Sequence, residues 1–312
     1  MKGKKLKLQT KDKSYRIEDS VFYKLSSKKN LARILFVELS ELSRLQEDSN
    51  YTIFKTGKDG KKKRLIECPK YNLDKIHTRI ASLLCRIKSP EYLHSGVKHR
   101  SNVSNADSHK GKHAIFTTDI TSFFPSTTKQ QVFNFFFKRM KCSSDVADIL
   151  ANICTFRKHI PTGSRISMPL AFWANVEMFE NLYAFAKSKS INMTLYVDDL
   201  TFSGSAVNRS FAYNVKKIIS RFGHSAHPEK SKLYSETQQK LITGVIVGLD
   251  GIQVRNKLLK NIHEDFRGWK QLKDLKLTDI SSIEPRLIGR LNAAACIDKR
   301  YKDKLRSLKK II

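Results

Sequence analysis

The stretch Met193-Thr-Leu-Tyr-Val-Asp-Asp-Leu-Thr-Phe-Ser203 decides the fold, because two adjacent acids separate two short apolar runs. The flanks of Asp198 and Asp199 predict a β-hairpin with both acids at its bend. A second run, Ala114-Ile-Phe-Thr-Thr-Asp119, predicts a strand that also ends in an acid. Neighbouring carboxylates beside apolar strands repel each other and lose solvation, so a cation is their natural compensation. The alternative, a solvated Asp-Asp turn, does not fit the apolar flanks.

The cation that suits such a site is magnesium. Mg²⁺ prefers oxygen ligands and takes part of its coordination shell from substrate phosphates. Two such ions, about 4 Å apart, can activate an attacking hydroxyl and stabilise the leaving oxygen of an in-line displacement. The sequence therefore predicts that Asp119, Asp198 and Asp199 are catalytic and hold two Mg²⁺ ions.

The segments around these acids predict an α+β fold, an antiparallel sheet with helices. A basic-tipped hairpin is predicted from Tyr51 to Cys68, with its turn at Lys58 to Lys63, and one strand is predicted over Lys240 to Val247. Apolar residues at helical spacing predict the helices between. These helices are expected over 31–45, 73–87, 129–140, 145–155, 168–188, 210–222, 257–276 and 283–312.

The charge of the chain points to a polyanionic partner. Its 312 residues include 59 Lys and Arg against 29 Asp and Glu, a net charge of +30. No stretch approaches the roughly 18 apolar residues of a membrane span, and no apolar run follows the basic N-terminus as in a signal peptide. The five cysteines are scattered without a CxxC pair. These features predict a cytoplasmic protein with no membrane partner, no disulfide framework and no zinc site.

The ordered motifs resemble those of the reverse transcriptases, and specifically of the bacterial retron type. Asp119-Ile-Thr-Ser-Phe-Phe-Pro125 resembles the first catalytic motif, and Tyr196-Val-Asp-Asp199 is similar to the YxDD motif. Ile160-Pro-Thr-Gly-Ser-Arg-Ile-Ser167 resembles LPQGxxxS, with Thr162 in place of the family's Gln. Two elements point to retrons: Asn105-Ala-Asp-Ser-His109 is similar to NAxxH, and Ile242-Thr-Gly244 resembles VTG.

The resemblance implies a right-hand polymerase with fingers, palm and helical thumb. The palm is expected to be an antiparallel sheet with helices and to carry the catalytic site. The expected division is 1–50 for a basic N-terminal arm and helix, 51–113 and 128–160 for the fingers, 114–127 and 161–248 for the palm, and 249–312 for the basic thumb.

The resemblance also implies roles at the nucleotide site. The Ile120 carbonyl would join one metal ion, and Gly163 would lie against template and nucleotide. Arg64, with Lys63 as a weaker candidate, would bind the triphosphate; the alternative is a solvated basic turn. Phe124 would exclude a ribose 2′-OH, unless it is a core residue. Lys230 would protonate or neutralise the leaving pyrophosphate, or contact a phosphate without chemistry.

The RNA contacts are expected in two places. Asn105 and His109 belong to the retron-like NAxxH element, although His109 could equally be a structural histidine. The second place is the basic C-terminal segment, which is rich in Lys and Arg among apolar residues and suits recognition of RNA by its charge and shape. The residues expected to contact RNA there are Lys257, Lys260, Arg267 and Lys270.

The function implied is RNA-directed DNA synthesis from deoxynucleoside triphosphates on a partner noncoding RNA. A retron enzyme would prime on a ribose 2′-OH and release branched RNA–DNA, with a separate effector protein, in antiphage defence. No RNase H module is expected, because the chain ends with the thumb. The alternatives are another bacterial reverse transcriptase, of diversity-generating, intron-derived or abortive-infection type, and a catalytically idle RNA-binding scaffold. The intact acids disfavour the scaffold.

Overall fold

A computed structural model describes residues 6–57, 63–249, 251–274 and 280–311. Helices and antiparallel sheets alternate along the chain, so the predicted α+β class is confirmed. The predicted turn at the tip of the first hairpin lies mostly in 58–62, outside the described residues. Within the described ranges, every helix is too short or too polar to cross a lipid bilayer.

The N-terminal part holds a two-stranded hairpin with helices on either side. The predicted helix over 31–45 is wrong, because Phe36 adopts a left-handed backbone conformation (φ 61°) and ends the first helix. The hairpin is antiparallel as predicted and pairs Thr56 with Arg64. The elements are α1 (Lys28–Leu35), α2 (Glu41–Arg44), β1 (Tyr51–Thr56), β2 (Arg64–Pro69) and α3 (Tyr71–Leu84), with 3-10 turns at Ile17–Asp19 and Asp48–Asn50.

The central sheet has four antiparallel strands in the order β4-β5-β3-β6. The predicted hairpin supplies β4 and β5, and the predicted strand before Asp119 is β3. The short strand β6 was not predicted, since three residues give little periodicity. The strands are β3 (Ile115–Asp119), β4 (Asn192–Tyr196), β5 (Asp199–Ser203) and β6 (Lys232–Tyr234).

Helices surround this sheet and share one apolar core with α1 and α3. The predicted helix over 168–188 is wrong as a single element, because Asn175 separates it into two. The Asn175 amide donates to the Thr127 hydroxyl (2.9 Å), and its carbonyl oxygen lies 2.7 Å from His224 Nε2, so tertiary contacts decide the break. The helices are α4 (Asn102–Asp107), α5 (Phe123–Ser126), α6 (Lys129–Asn134), α7 (Ser144–Cys154), α8 (Ser167–Ala174), α9 (Val176–Lys187) and α10 (Arg209–Arg221), with a π-helical turn at Phe135–Arg139.

A second small sheet follows the central one. The predicted single strand over 240–247 is wrong, because the chain reverses at Thr243 and Gly244, which both have positive φ (44° and 86°). Two-residue turns with positive φ at both positions join the strands of tight hairpins. The strands are β7 (Lys240–Ile242), β8 (Val245–Val247) and β9 (Ile252–Gln253).

The C-terminal segment is helical, as predicted, and has an apolar core of its own around Trp269, Leu287 and Leu291. The second predicted helix, over 283–312, is two helices instead of one. The elements are α11 (Asn256–Asp274), α12 (Ile280–Ala295) and α13 (Arg300–Ile311).

Candidate active site

Three carboxylates meet at one end of the central sheet. Asp119 ends β3 and pairs in register with Asp199 at the start of β5, while Asp198 occupies the β4–β5 turn. One oxygen from each side chain lies within 4.8 Å of the others. Asp119 is buried and the other two are half-buried. The structure therefore brings together the three acids that the sequence singled out.

The turn that carries Asp198 has a strained backbone. Val197 has a φ of 61°, a conformation that is rare for a β-branched residue. The backbone N–H of Val197 donates to the buried Ser95 hydroxyl (2.9 Å), and the N–H of Ile120 donates to the Asp198 carbonyl (3.0 Å). These bonds hold the turn against β3. Ser95 could not be identified from the sequence, because it lies 102 positions before Val197 and no local pattern links the two residues.

Electrostatic repulsion is strong inside the cluster. Burial and the charge of Asp119 raise the pKa of Asp198 to about 6. Burial and the charges of Asp198 and Asp119 raise the pKa of Asp199 to about 7. The Lys230 ammonium lies 2.8 Å from Asp119 Oδ2, and this hydrogen bond raises the pKa of Lys230. One ammonium among three carboxylates leaves excess negative charge that a divalent cation would neutralise.

The cluster thus fits a magnesium site by its chemistry, since all three donors are carboxylates and they converge on one point. A cleft of about 350 Å³ opens beside it, lined by Tyr196, Asp199, Lys230 and the Thr243-Gly244 turn. Lys230 itself is more than half exposed, with 57% of its side-chain surface accessible. It can therefore face a ligand in the cleft as well as Asp119.

The loop that resembles LPQGxxxS is fastened to β2. Thr162 donates its hydroxyl to the Leu65 carbonyl (2.9 Å) and accepts from the Glu67 N–H (3.2 Å). The buried Glu67 carboxylate accepts from the Thr162 N–H (3.2 Å) and contacts the His159 ring (3.0 Å). Sequence reasoning missed Glu67, which no local motif distinguishes. Thr162, the residue that departs from the family motif, therefore joins the loop to the hairpin by hydrogen bonds.

Gly163 lies where no side chain would fit. A Cβ atom there would come within 2.7 Å of the Glu67 carbonyl oxygen and 2.8 Å of Ile66 Cγ2. Arg64 and Lys63, the residues predicted to bind triphosphate, are exposed at the start of β2. The close approach of Gly163 ties that strand to the loop. The Gly163 N–H also donates to the Glu67 carbonyl (3.1 Å), so the loop is hydrogen-bonded to the strand that Arg64 begins.

Phe124 follows β3 on α5 and is half-buried, with its ring 6.0 Å from that of the buried Phe123. Ser122, which begins this turn, has positive φ (49°). Part of the Phe124 side chain is therefore accessible to solvent. That position is compatible with both predicted roles, a gate beneath a sugar and a core residue.

Asn105 and His109 lie in the interior of the protein. Both are completely buried, so they cannot offer atoms to RNA in this conformation. The His109 ring bonds Ser203 Oγ and Thr194 Oγ1, each at 2.7 Å, and so joins β4 to β5. Asn105 Nδ2 donates to Thr243 Oγ1 (3.4 Å). The two retron-like elements thus contact each other. These contacts support the structural alternative, and RNA binding by Asn105 and His109 stays a prediction.

The predicted RNA contacts of the C-terminal segment lie on a different unit from the acids. Four cationic side chains were predicted to contact RNA in this segment, and all four are exposed on α11. Lys260 makes one long ion pair to Glu264 (3.9 Å). The structure leaves them free to meet a polyanion. They are Lys257, Lys260, Arg267 and Lys270.

Comparison with known proteins agrees with the resemblance carried by the motifs. The retron Se72 reverse transcriptase of Salmonella heidelberg (strain 579083-10) is 32% identical over 187 residues, 57% of this chain and 48% of that protein. The retron Ec86 reverse transcriptase of Escherichia coli is 26% identical over 234 residues, 72% of each chain. The retron Mx65 reverse transcriptase of Myxococcus xanthus is 26% identical over 245 residues, 70% of this chain and 56% of that protein. The resemblance to retron reverse transcriptases is confirmed.

The extent of these matches differs among the relatives. The chain spans about half the length of the Se72 and Mx65 proteins. No protein-family model matches the chain. Among solved structures, a foamy viral protease–reverse transcriptase in complex with double-stranded DNA aligns with a TM-score of 0.46 and 16% identity, covering 78% of this chain and 36% of that chain.

Proposed function

We propose that this protein is a retron-type RNA-directed DNA polymerase whose active site is the cluster of Asp119, Asp198 and Asp199. The observation that carries the proposal is the convergence of the three carboxylates, within 4.8 Å, at strand ends of a chain that is similar to retron reverse transcriptases. Asp119 and Asp198 would hold two Mg²⁺ ions together with the Ile120 carbonyl, and Asp199 would contribute less directly. When bound there, Mg²⁺ supplies the charge that activates the attacking hydroxyl and stabilises the leaving pyrophosphate.

The remaining residues of the site would bind and orient the substrates. Lys230, fixed at 2.8 Å from Asp119, would place its ammonium where the pyrophosphate leaves. Arg64 and Lys63, exposed at the start of β2, would bind the triphosphate of the incoming deoxynucleotide. Gly163 would support the nucleotide, and Phe124 would exclude a ribose. The carboxylates, held by the hydrogen-bonded turn at Val197, would help to position the acceptor oxygen for attack on the α-phosphate.

The right-hand description is part of the proposal. Residues 51–113 and 128–160 would be the fingers, 114–127 and 161–248 the palm, and 249–312 the thumb, after a basic N-terminal arm and helix in 1–50. The thumb cations on α11 would neutralise RNA phosphates. Removing Lys257, Lys260, Arg267 and Lys270 should weaken RNA binding and flatten its salt dependence, by about 0.7 to 0.9 in the log–log slope for each phosphate that is no longer neutralised.

Primer extension with Mg²⁺ and deoxynucleoside triphosphates on an RNA template tests the activity. We expect Asp198→Asn and Asp199→Asn to lose synthesis by at least about 100-fold, since a metal ligand contributes several kcal/mol to the transition state. The matched control is Asp303→Asn, the same change on the exposed face of α13. If an active-site variant extends primers as fast as the control, the assignment of the acids is wrong. An inactive wild type with intact RNA binding would favour the idle scaffold.

Retron chemistry makes a second, finer prediction. The partner would be a noncoding RNA, and DNA synthesis would begin on a ribose 2′-OH within it, giving branched RNA–DNA. Cells that express the protein with its neighbouring noncoding locus should then yield DNA that stays joined to RNA after denaturation and is released by a debranching enzyme. If the DNA is instead linear and primed at a 3′-OH, the protein is a reverse transcriptase of another bacterial type. A separate effector protein and a role in antiphage defence complete the proposal.

A further inference from the structure

A basic groove lies between the N-terminal segment and helix α3. Its volume is about 770 Å³. One wall is the extended segment 6–11, which is held by a hydrogen bond from the Gln9 N–H to Ser82 Oγ and another from Arg86 Nη2 to the Gln9 carbonyl, both 3.0 Å. The other wall is a stripe of α3 residues spaced three or four apart. From Tyr71 to Arg86 that wall is about 20 Å long.

The groove concentrates positive charge that the protein leaves unbalanced. Lys7, Lys11, Lys75, Arg79 and Arg86 line it, with no acidic residue among the lining side chains. In the part of the chain that the structure describes, none of these five cations forms an ion pair with a carboxylate. Burial and the charge of Arg86 lower the pKa of Arg79. Two guanidinium groups that repel each other in a groove create a site for an anion.

Arg86 gives independent support for a ligand. Its side chain is only 7% exposed, and among the described residues its Nε has no hydrogen-bond partner. A buried donor without an acceptor is destabilising, and a charged donor more so than a neutral one. Arg86 also lines the groove. A phosphate in the groove would compensate the charge of this guanidinium, which has no carboxylate partner among the described residues.

Two exposed aromatic rings complete the surface. Phe36 is 76% exposed and Tyr71 is 60% exposed. Phe36 also holds a left-handed backbone (φ 61°) at the end of α1, a position where glycine is usual and a side chain is strained. At 76% exposure the ring buries little of its surface within the protein. Such strain and exposure are typical of a residue retained for contact with a ligand.

A cationic side chain lies over each of these two rings. The Arg79 guanidinium lies 4.5 Å from the centroid of the Phe36 ring, and Lys75 Nζ lies 4.4 Å from the centroid of the Tyr71 ring. Aromatic platforms beside backbone-binding cations are how proteins bind single-stranded nucleic acid without reading its sequence. An acidic peptide would use the cations and would have no use for stacking faces.

We propose that this groove binds a single-stranded RNA segment, with phosphates on Arg79 and Arg86 and bases stacked on Phe36 and Tyr71. The site is separate from the cations of α11 and from the carboxylate cluster. It does not rest on polymerase activity, since binding of a short strand can be measured without synthesis. It would hold an unpaired stretch of RNA against the N-terminal side of the molecule.

Fluorescence anisotropy of the full chain with labelled oligouridine and oligoadenosine tests this assignment. Phe36→Gly and Tyr71→Ala should each raise the Kd by about 5- to 100-fold, the range for loss of one stacked base. Phe36→Gly removes the ring and relieves the left-handed strain, so its thermal stability should be kept or raised. The matched control is Tyr213→Ala, which removes a tyrosine that is 66% exposed on α10. Its Kd should equal that of the wild type.

The salt dependence separates the two kinds of contact. Arg79→Gln should reduce the log–log salt slope by about 0.7, whereas the ring variants should weaken binding at an unchanged slope. Unchanged affinity in Phe36→Gly and Tyr71→Ala would overturn the proposal, and so would equal competition by polyglutamate, which would make the groove an acidic-peptide site. Neither result would bear on primer extension, so this proposal can fail while the proposed polymerase activity stands.

Discussion

Replacement of His109 tests whether the NAxxH element is structural or binds RNA. The ring is completely buried and bonds Ser203 Oγ and Thr194 Oγ1, on the two strands that flank the Asp198 turn. His109→Ala removes both bonds and leaves two buried hydroxyls without partners. Each unsatisfied group costs about 1–3 kcal/mol, and the lost ring adds the cost of a cavity.

The combined loss is therefore about 3–8 kcal/mol of the free energy of unfolding. Domains of this kind have roughly 5–15 kcal/mol in total, so the variant should lose a large fraction of its stability. At about 2–4 °C for each kcal/mol, the midpoint of thermal unfolding should fall by on the order of 10 °C. His109→Gln, which can keep one of the two bonds, should lose less.

Thermal unfolding by circular dichroism measures this loss, and RNA affinity is measured well below the transition of the weakest variant. His263→Ala, which removes an exposed histidine of α11, is the matched control and should leave the midpoint unchanged. The folded His109→Ala protein should bind RNA with the affinity of the wild type. An unchanged midpoint together with weakened RNA binding would refute the structural role and restore the RNA contact.

Three further predictions concern pH, the sugar and the loop. Burial and the neighbouring His94 and His113 lower the pKa of His109 to about 3, below the roughly 6.5 of an unfolded histidine, so its stabilising contribution is complete above about pH 6.5 and is lost as the pH falls. In urea unfolding, the difference in stability between wild type and His109→Gln should therefore shrink by about 1.4 kcal/mol per pH unit from about pH 6 to about pH 4. A constant difference would contradict this. Phe124→Ala should raise the incorporation of ribonucleotides relative to deoxynucleotides in primer extension, and an unchanged ratio with activity retained would make Phe124 a core residue. Thr162→Val keeps the shape of the side chain but removes its two side-chain hydrogen bonds to β2, and should raise the KM for deoxynucleotides by about 10-fold, for a loss of about 1–1.5 kcal/mol. The control is Thr237→Val, at an exposed threonine outside the hairpin, and an equal KM in both variants would show that these hydrogen bonds do not serve nucleotide binding.

The elements that the sequence predicts well are those whose signal is local. The hairpin around Asp198 and the strand before Asp119 follow from apolar runs of four or five residues that end in acids. The breaks in helices are different, because they depend on partners far along the chain. Asn175 ends α8 through contacts to Thr127 and His224, and neither contact can be read from the surrounding periodicity.

The candidate site divides in the same way. The grouping of the three acids was predictable, since each lies at the end of an apolar strand, whereas Lys230 was implied by the family resemblance alone. Ser95 and Glu67 were missed, because each acts on a backbone about 100 residues away in sequence, with no pattern around itself. The resemblance pointed to Asn105 and His109, but their contacts with Thr243, Ser203 and Thr194 could not be read from it, since a motif states which residues recur and not what they touch.

The replacement of the family's Gln by Thr162 has a physical explanation in the contacts of the loop. A threonine hydroxyl is short, and here it lies between the Leu65 carbonyl and the Glu67 N–H, at 2.9 and 3.2 Å. The Glu67 carboxylate binds the same residue from its backbone side. Thr162 therefore takes part in three hydrogen bonds that join the loop to the hairpin. Because Arg64 starts the same strand, the position of a triphosphate-binding cation would depend on the loop that approaches the nucleotide. Fixing that cation before the nucleotide arrives reduces the ordering cost of binding, which is the reason the loss in Thr162→Val should appear in the KM.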